Sequence, residues 1–152
     1  MNEYEIITDS TADLSPKLIE ELDVQVIPMT FTIGDVSYIN YPDERELSSH
    51  DFYERLRGGE TSTTNQITPA TFTEYFEPVL QSGRDVIYIG FSSGLSGTFN
   101  NARLTAEELS EKYPDRKVFA VDSLAASMGE GLLVYHAAQM RKKGASIVEV
   151  RD

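Results

Sequence analysis

Val86-Ile87-Tyr88-Ile89-Gly90-Phe91-Ser92-Ser93-Gly94-Leu95-Ser96-Gly97-Thr98 (VIYIGFSSGLSGT) decides the fold of this 152-residue chain. Val86–Phe91 is a continuous apolar run, the pattern of a strand buried on both faces. Ser92–Thr98 is a Gly/Ser loop, and a helix follows to about Tyr113. Downstream, Lys117–Val121 (KVFAV) is a second such strand. It ends at Asp122-Ser123 and leads into a long helix from Leu124 to about Lys143, stopped by Gly144. Upstream, Tyr4–Thr8 (YEIIT) is a short apolar strand followed by the polar loop Asp9–Asp13. Ser15 and Pro16 open a helix as N-cap and first helical residue, where the missing N–H of proline costs nothing. Thr68-Pro69 repeats the signal for a helix to about Leu80.

Between these units, Val24–Ile33 reads as one strand, with Pro28 at an edge or a bulge. Gly34-Asp35 is a turn and Val36–Asn40 the return arm of a hairpin. Ser48–Leu56 has Phe52, Tyr53 and Leu56 on one helical face, with Gly58-Gly59 as its stop. Thr61–Thr68 (TSTTNQIT) reads as a polar loop without periodicity. Strands alternating with helices predict an α/β fold, a mostly parallel sheet flanked by helices. Ligands of such sheets bind beyond the carboxyl ends of the strands. Asp9-Ser10-Thr11, Ser92–Thr98 and Asp122-Ser123 all lie there. Leu124–Met140, interrupted by Gly129, Glu130, Gly131 and His136, reads as a buried helix rather than a membrane span.

Composition narrows the function. Apolar residues make up 40% and the formal charge is −12. Residues 1–60 hold 14 acids and 4 bases, residues 61–152 hold 11 and 9, and neither half has the basic patch that nucleic acid requires. The acidic half suits a solvated face, or a surface for a basic partner. No cysteine is present, which excludes thiolate chemistry and cysteine-based metal sites and fits a reducing compartment such as the cytoplasm. MNEYEIITDS is not a leader pattern. Asp9 and Asp122 suit turn capping better than Mg²⁺, so no metal is assigned, and no cofactor.

The Ser92–Thr98 loop suits a carboxylate or phosphate. Gly94 and Gly97 would let the backbone turn and approach a ligand, the helix-start N–H groups would be free, and Ser92, Ser93, Ser96 and Thr98 add hydroxyls. The alternative is an ordinary strand–helix turn. The loop is neither a Walker loop nor a dinucleotide fingerprint. Gly90-Phe91-Ser92-Ser93-Gly94 also matches the G-x-S-x-G elbow of a serine hydrolase, with Asp122 and His136 following in hydrolase order. His136 falls inside a predicted helix, which argues against that triad. Thr61–Thr68 offers uncharged donors or a plain surface loop.

Four stretches in order resemble the N-terminal part of the DegV family of fatty-acid-binding proteins. They are Ile7-Thr8-Asp9-Ser10-Thr11-Ala12-Asp13-Leu14; Thr63-Thr64-Asn65-Gln66-Ile67-Thr68-Pro69 with Phe72; Ser92-Ser93-Gly94-Leu95-Ser96-Gly97-Thr98-Phe99-Asn100-Asn101-Ala102; and Val121-Asp122-Ser123 with Ser127, Gly129 and Gly131. Asn65 and Ile67 depart from the family's usual Ser and Pro. The resemblance implies a bacterial lipid-binding protein, not an enzyme, that holds a long-chain fatty acid between two lobes. Thr64 and Ser93 would contact the carboxylate, with Ser92, Ser96, Gly94, Gly97 and Asn65 in support. A separate fatty acid kinase is the implied partner. A structural or interaction domain is a further alternative. Ser146 and Glu149 have capping-box spacing just before the last residue. The expected organisation is therefore a lobe over 1–145, with 146–152 beginning a connection to a missing second lobe.

Overall fold

The structure is a computed structural model and describes residues 3–152. Met1 and Asn2, which open the stretch read for a leader, lie outside the described residues. Strands β1 (Tyr4–Asp9), β2 (Gln25–Ile27), β6 (Asp85–Gly90) and β7 (Val118–Asp122) form a parallel sheet in the order β2-β1-β6-β7. The helices are α1 (Pro16–Leu22), α2 (Ser49–Arg57), α3 (Pro69–Gln81), α4 (Thr98–Lys112), α5 (Ser127–Lys142) and α6 (Ile147–Arg151). Alternation within the apolar strands splits the core in two. Ile7, Val86, Tyr88 and Val118 pack with Phe72, Phe76, Ala102 and Leu109 of α3 and α4. Ile6, Ile87 and Ile89 pack with Leu22, Val134, Ala137, Ala138 and Ile147 of α1, α5 and α6. Helices therefore cover both faces, as a continuous apolar strand demands. The caps follow the sequence signals: the Ser15, Ser48 and Thr68 side chains accept from the amides of Leu18, Asp51 and Thr71, and Ser146 with Glu149 closes a full capping box.

Several sequence expectations are corrected. Val24–Ile33 is not one strand. It breaks at Pro28, β2 stays in the parallel sheet, and β3 (Thr30–Ile33) leaves for a second, antiparallel sheet with β4 (Val36–Ile39) and β5 (Ser62–Asn65), in the order β4-β3-β5. Proline cannot donate to a ladder, so the chain changes sheets there. The polar stretch 61–68 is not all loop either. Its Ser62–Asn65 part pairs with β3, Thr64 opposite Phe31. Finally, the last long helix begins at Ser127, not Leu124. The Asp122 carboxylate accepts from the Leu124 amide at 3.0 Å, an Asx turn that delays the helix.

Nor is α5 buried all round. Its inward face is small: Gly131, Val134, Ala137 and Ala138, with the fully buried Glu130. Met128, Leu132 and Tyr135 face outward, Met128 being 82% exposed. The small inward residues let α5 approach the turn after β1 closely. A Cβ on Gly131 would lie 2.6 Å from the Ala12 carbonyl oxygen, a backbone atom that cannot swing aside. Gly131→Ala should therefore cost about 1–3 kcal/mol, the usual range for overpacking, read as a lower urea midpoint without a changed slope.

Candidate ligand-binding site

Two adjoining hollows open where the antiparallel sheet, α2 and the Asp9–Asp13 turn meet. The larger, about 640 Å³, is lined by Asp13, Asp43 and Glu44 among other polar groups. Three carboxylates make it a poor host for an anion. The smaller, about 230 Å³, has Met29, Phe31, Leu47 and Phe52 on its walls, with Thr11, Ser62 and Thr64 beside them, and shares the Asp13 and Glu44 carboxylates with the larger, so an anionic head group fits only at the Ser62/Thr64 side. Phe31 and Phe52 meet edge to face at 5.3 Å between centroids. An apolar wall edged by hydroxyls matches an amphiphile. The smaller hollow falls below the ~300–1,000 Å³ of a complete small-molecule site.

Thr64 is exposed, and its hydroxyl makes no hydrogen bond among the described residues. Its donor is free for a ligand. Strand alternation sends Asn65 to the opposite face of the sheet, away from this hollow. The β5 end and the Ser92–Thr98 loop are tied together. Thr98 Oγ1 accepts from the Ile67 amide at 3.3 Å, and the Asn101 side chain donates to the Ile67 carbonyl at 2.9 Å. A proline at position 67 would lack that amide, so the departure from the family pattern adds a tie here. Gly97 is small because the Gln66 amide lies over it, 2.7 Å from where a Cβ would be.

The Ser92–Thr98 loop is more self-contained than its composition suggests. The Ser92 amide donates to the Ala125 carbonyl, those of Leu95 and Ser96 to the Ser92 carbonyl, that of Gly94 to Ser92 Oγ and that of Thr98 to Ser96 Oγ. The expected cradle of free N–H groups is therefore largely occupied by the loop itself. Gly94 and Gly97 also lack the positive φ that requires glycine. Ser92 is buried and Ser96 half-buried, whereas Ser93 is exposed and donates its hydroxyl to Asp122, whose carboxylate also takes the Ser93 amide at 3.2 Å. Burial pushes the Asp122 carboxyl up, but the bonds from the Ser93 hydroxyl and the Leu124 and Ser93 amides outweigh it, and the group sits below the usual carboxylate range. A ligand oxygen at Ser93 would have to compete with that carboxylate for the proton.

The sequence reading missed Thr11, Met29, Phe31 and Phe52 as lining residues. Phe52 was legible as the apolar face of α2. Phe31 was hidden by the change of sheet. It also missed the pairing of Asp9 with Glu130, both fully buried at the carboxyl edge of the sheet. Among the described residues no group of three or more His, Asp or Glu side chains could hold a metal ion, and no helix is long and apolar enough to cross a membrane.

The fold and site define an α/β lobe with a partly apolar hollow edged by the hydroxyls of Thr11, Ser62 and Thr64; no residue of the Ser92–Thr98 loop lines either hollow. The chain belongs to the DegV family: the family model described as "uncharacterised protein, DegV family" matches residues 3–152. It is 43% identical over 150 residues to a DegV domain-containing protein of Clostridium perfringens, covering 99% of this chain and 51% of that relative. The chain spans about half the length of the curated relatives it matches. Among solved structures it superposes on a DegV family protein of Thermus thermophilus described by its fatty acid binding, with TM-score 0.84 and 30% identity over 99% of this chain and 51% of that one. A Thermotoga maritima protein reported to reveal a fatty acid binding function gives TM-score 0.81 and 31% identity, over 99% and 53%.

The hydrolase alternative finds no support in the geometry. Ser92 Oγ is committed to the Gly94 amide, Asp122 bonds Ser93 rather than a histidine, and His136 is exposed on α5. A fluorophosphonate probe should leave the protein unlabelled. Labelling that vanished in Ser92→Ala would establish the nucleophile.

Proposed function

We propose that this chain supplies one wall and part of the head-group site of a long-chain fatty acid carrier, and that it binds rather than converts its ligand. The observation that carries the reading is the free Thr64 hydroxyl beside Met29, Phe31, Leu47 and Phe52, a polar donor at the edge of an apolar hollow. The acyl chain would lie along that wall. The carboxylate would take Thr64 and, once its hydroxyl turns from Asp122, Ser93. Ser92 and Ser96 would hold the loop in shape, Gly97 would admit Gln66, and Asn65 and Gly94 would play lesser parts. Presentation of the acid to a separate fatty acid kinase, and a cytoplasmic location, belong to the same reading and are supported by the family resemblance and the cysteine-free sequence. Nucleic acid is no part of it, since the net charge of −12 repels phosphate.

Organic extraction and mass spectrometry of a protein with the length of the relatives should release one long-chain fatty acid per chain. In that protein Thr64→Val keeps the β-branched shape and removes the donor. Loss of one neutral hydrogen bond costs about 1–3 kcal/mol, or about 5- to 150-fold in Kd. Ser93→Ala should act in the same direction, and Thr64→Val should leave the ligand-free melting curve unmoved. Unchanged affinity in both variants would remove these two side chains from the site.

The isolated 152-residue chain should bind far more weakly. Each buried methylene is worth about 0.8 kcal/mol, and the hollow of about 230 Å³ encloses only part of a long acyl chain. Titration of both proteins with the same fatty acid checks this. Equal affinity would place the whole acyl site within these residues.

A further inference from the structure

The buried acids at the carboxyl edge of the parallel sheet leave one proton to be placed. Tyr88 donates its hydroxyl to Asp9 Oδ2 at 2.5 Å, and the Phe91 amide donates to the same oxygen at 3.1 Å. The Thr11 amide donates to Asp9 Oδ1 at 3.0 Å, and the Thr11 hydroxyl reaches that oxygen too. Asp9 therefore sits among donors. Glu130, 0% exposed, meets two hydroxyl groups and the Asp9 carboxyl, and no cation or amide donor: Thr11 Oγ1 lies 2.5 Å from Oε2 and Thr8 Oγ1 3.3 Å from Oε1. The Thr8 proton goes to the Ile89 carbonyl at 2.8 Å, which can only accept. The Thr11 hydroxyl has one proton and touches both acids. At least one oxygen–oxygen contact of Glu130 thus lacks a hydrogen unless Glu130 brings its own.

We propose that Glu130 is a neutral carboxylic acid at neutral pH, and that its proton fastens α5 to the Asp9–Asp13 turn, making Glu130 the positioning residue for Thr11 and Asp13 at the hollow. The groups that face it agree. Asp9 comes from β1 and Tyr88 from β6. Ser127 of α5 donates to Asp13 at 2.5 Å. Neither Asp9 nor Glu130 has an ion pair with a lysine or arginine among the described residues. Two ionised carboxylates sharing one buried hydroxyl would repel without compensation. Burial first, then the charge of Asp9, push the Glu130 carboxyl up to about 9, against the pull of the Thr11 and Thr8 hydroxyls.

The sign of the pH dependence follows. A glutamate in the unfolded chain titrates at about 4.3. Below that value both states hold the proton, and the contribution to stability is complete. Above it folding takes up a proton, so the folding equilibrium constant falls about tenfold per pH unit until the folded group itself ionises. Glu130→Gln keeps the shape and a donor but cannot ionise. Urea unfolding of the wild-type chain between about pH 5.5 and 8.5 should show that decline relative to the glutamine variant; parallel curves would overturn the proposal. A second readout needs no variant. The Glu130 carboxyl ¹³C shift of the wild-type chain, assigned through bonds, should be that of a protonated acid at neutral pH and move only in the alkaline range. A carboxylate shift at neutral pH would equally sink it. The bearing on ligand binding rests on the fatty-acid reading, but neither measurement involves a ligand, so the two can fail separately.

Discussion

The carboxyl group of Asp9 holds the carboxyl end of the parallel sheet together. It stands at the last residue of β1, accepts from the Tyr88 side chain and the Phe91 backbone of the neighbouring β6 region, and caps the short turn that follows. Burying a carboxylate without a cation is costly unless donors surround it. The residues that supply those donors are the same ones that shape this edge of the sheet. Tyr88 is fully buried in the α3/α4 core, and Phe91 opens the Ser92 loop. Tyr88 is a dependable donor because burial, then the charge and hydrogen bond of Asp9, raise its hydroxyl well above the usual range. The edge of the sheet is thus fixed by electrostatics that only the folded state provides.

The second constraint is the break at Pro28. By sending Thr30–Ile33 out of the parallel sheet, it creates a small antiparallel sheet with α2 against one face. The hollow exists because of that departure. Met29 lies at the break, with its amide held by the Ser10 hydroxyl at 2.9 Å, so the turn after β1 fixes the point where the chain leaves. Had Val24–Ile33 continued as one edge strand, Phe31 and Thr64 would not face each other across a ladder, and no apolar wall would stand beside a free hydroxyl.

What was legible in the sequence is what local chemistry determines. The buried strands around Ile6-Ile7 and Ile87–Ile89, the Ser15, Thr68 and Ser146 caps and the Gly144 stop all carry their signal within a few residues. The antiparallel sheet did not. Ser62–Asn65 is uniformly polar because both its faces are largely wet, so no alternation marks it, and only its pairing with β3 makes it a strand. The glycines at 94 and 97 were legible as a loop but not as to purpose, since Gly97 serves a Gln66 side chain 31 residues earlier. The contact between Thr11 and Glu130 spans 119 positions, and no window of sequence contains it. Thr64 was legible only through the family pattern, because an exposed threonine in a polar run looks like any other.

The exposed residues of α5 extend the same logic outward. Met128, Leu132 and Tyr135 lie at positions that share one helical face, and Leu124 and Leu95 project from the two loops bonded to each other through Ser92 and Ala125. Leu95 is 67% and Leu124 78% exposed. Single exposed apolar residues are ordinary on a folded surface. The inward face of α5 explains why they are there. Gly131 must be small to meet the Ala12 carbonyl, and Val134, Ala137 and Ala138 complete a thin face that brings Glu130 within reach of Thr11. A helix so closely seated has little room inside for large side chains, so its bulk points outward. The close approach that places the buried acid and the outward bulk of α5 are therefore two faces of one packing solution.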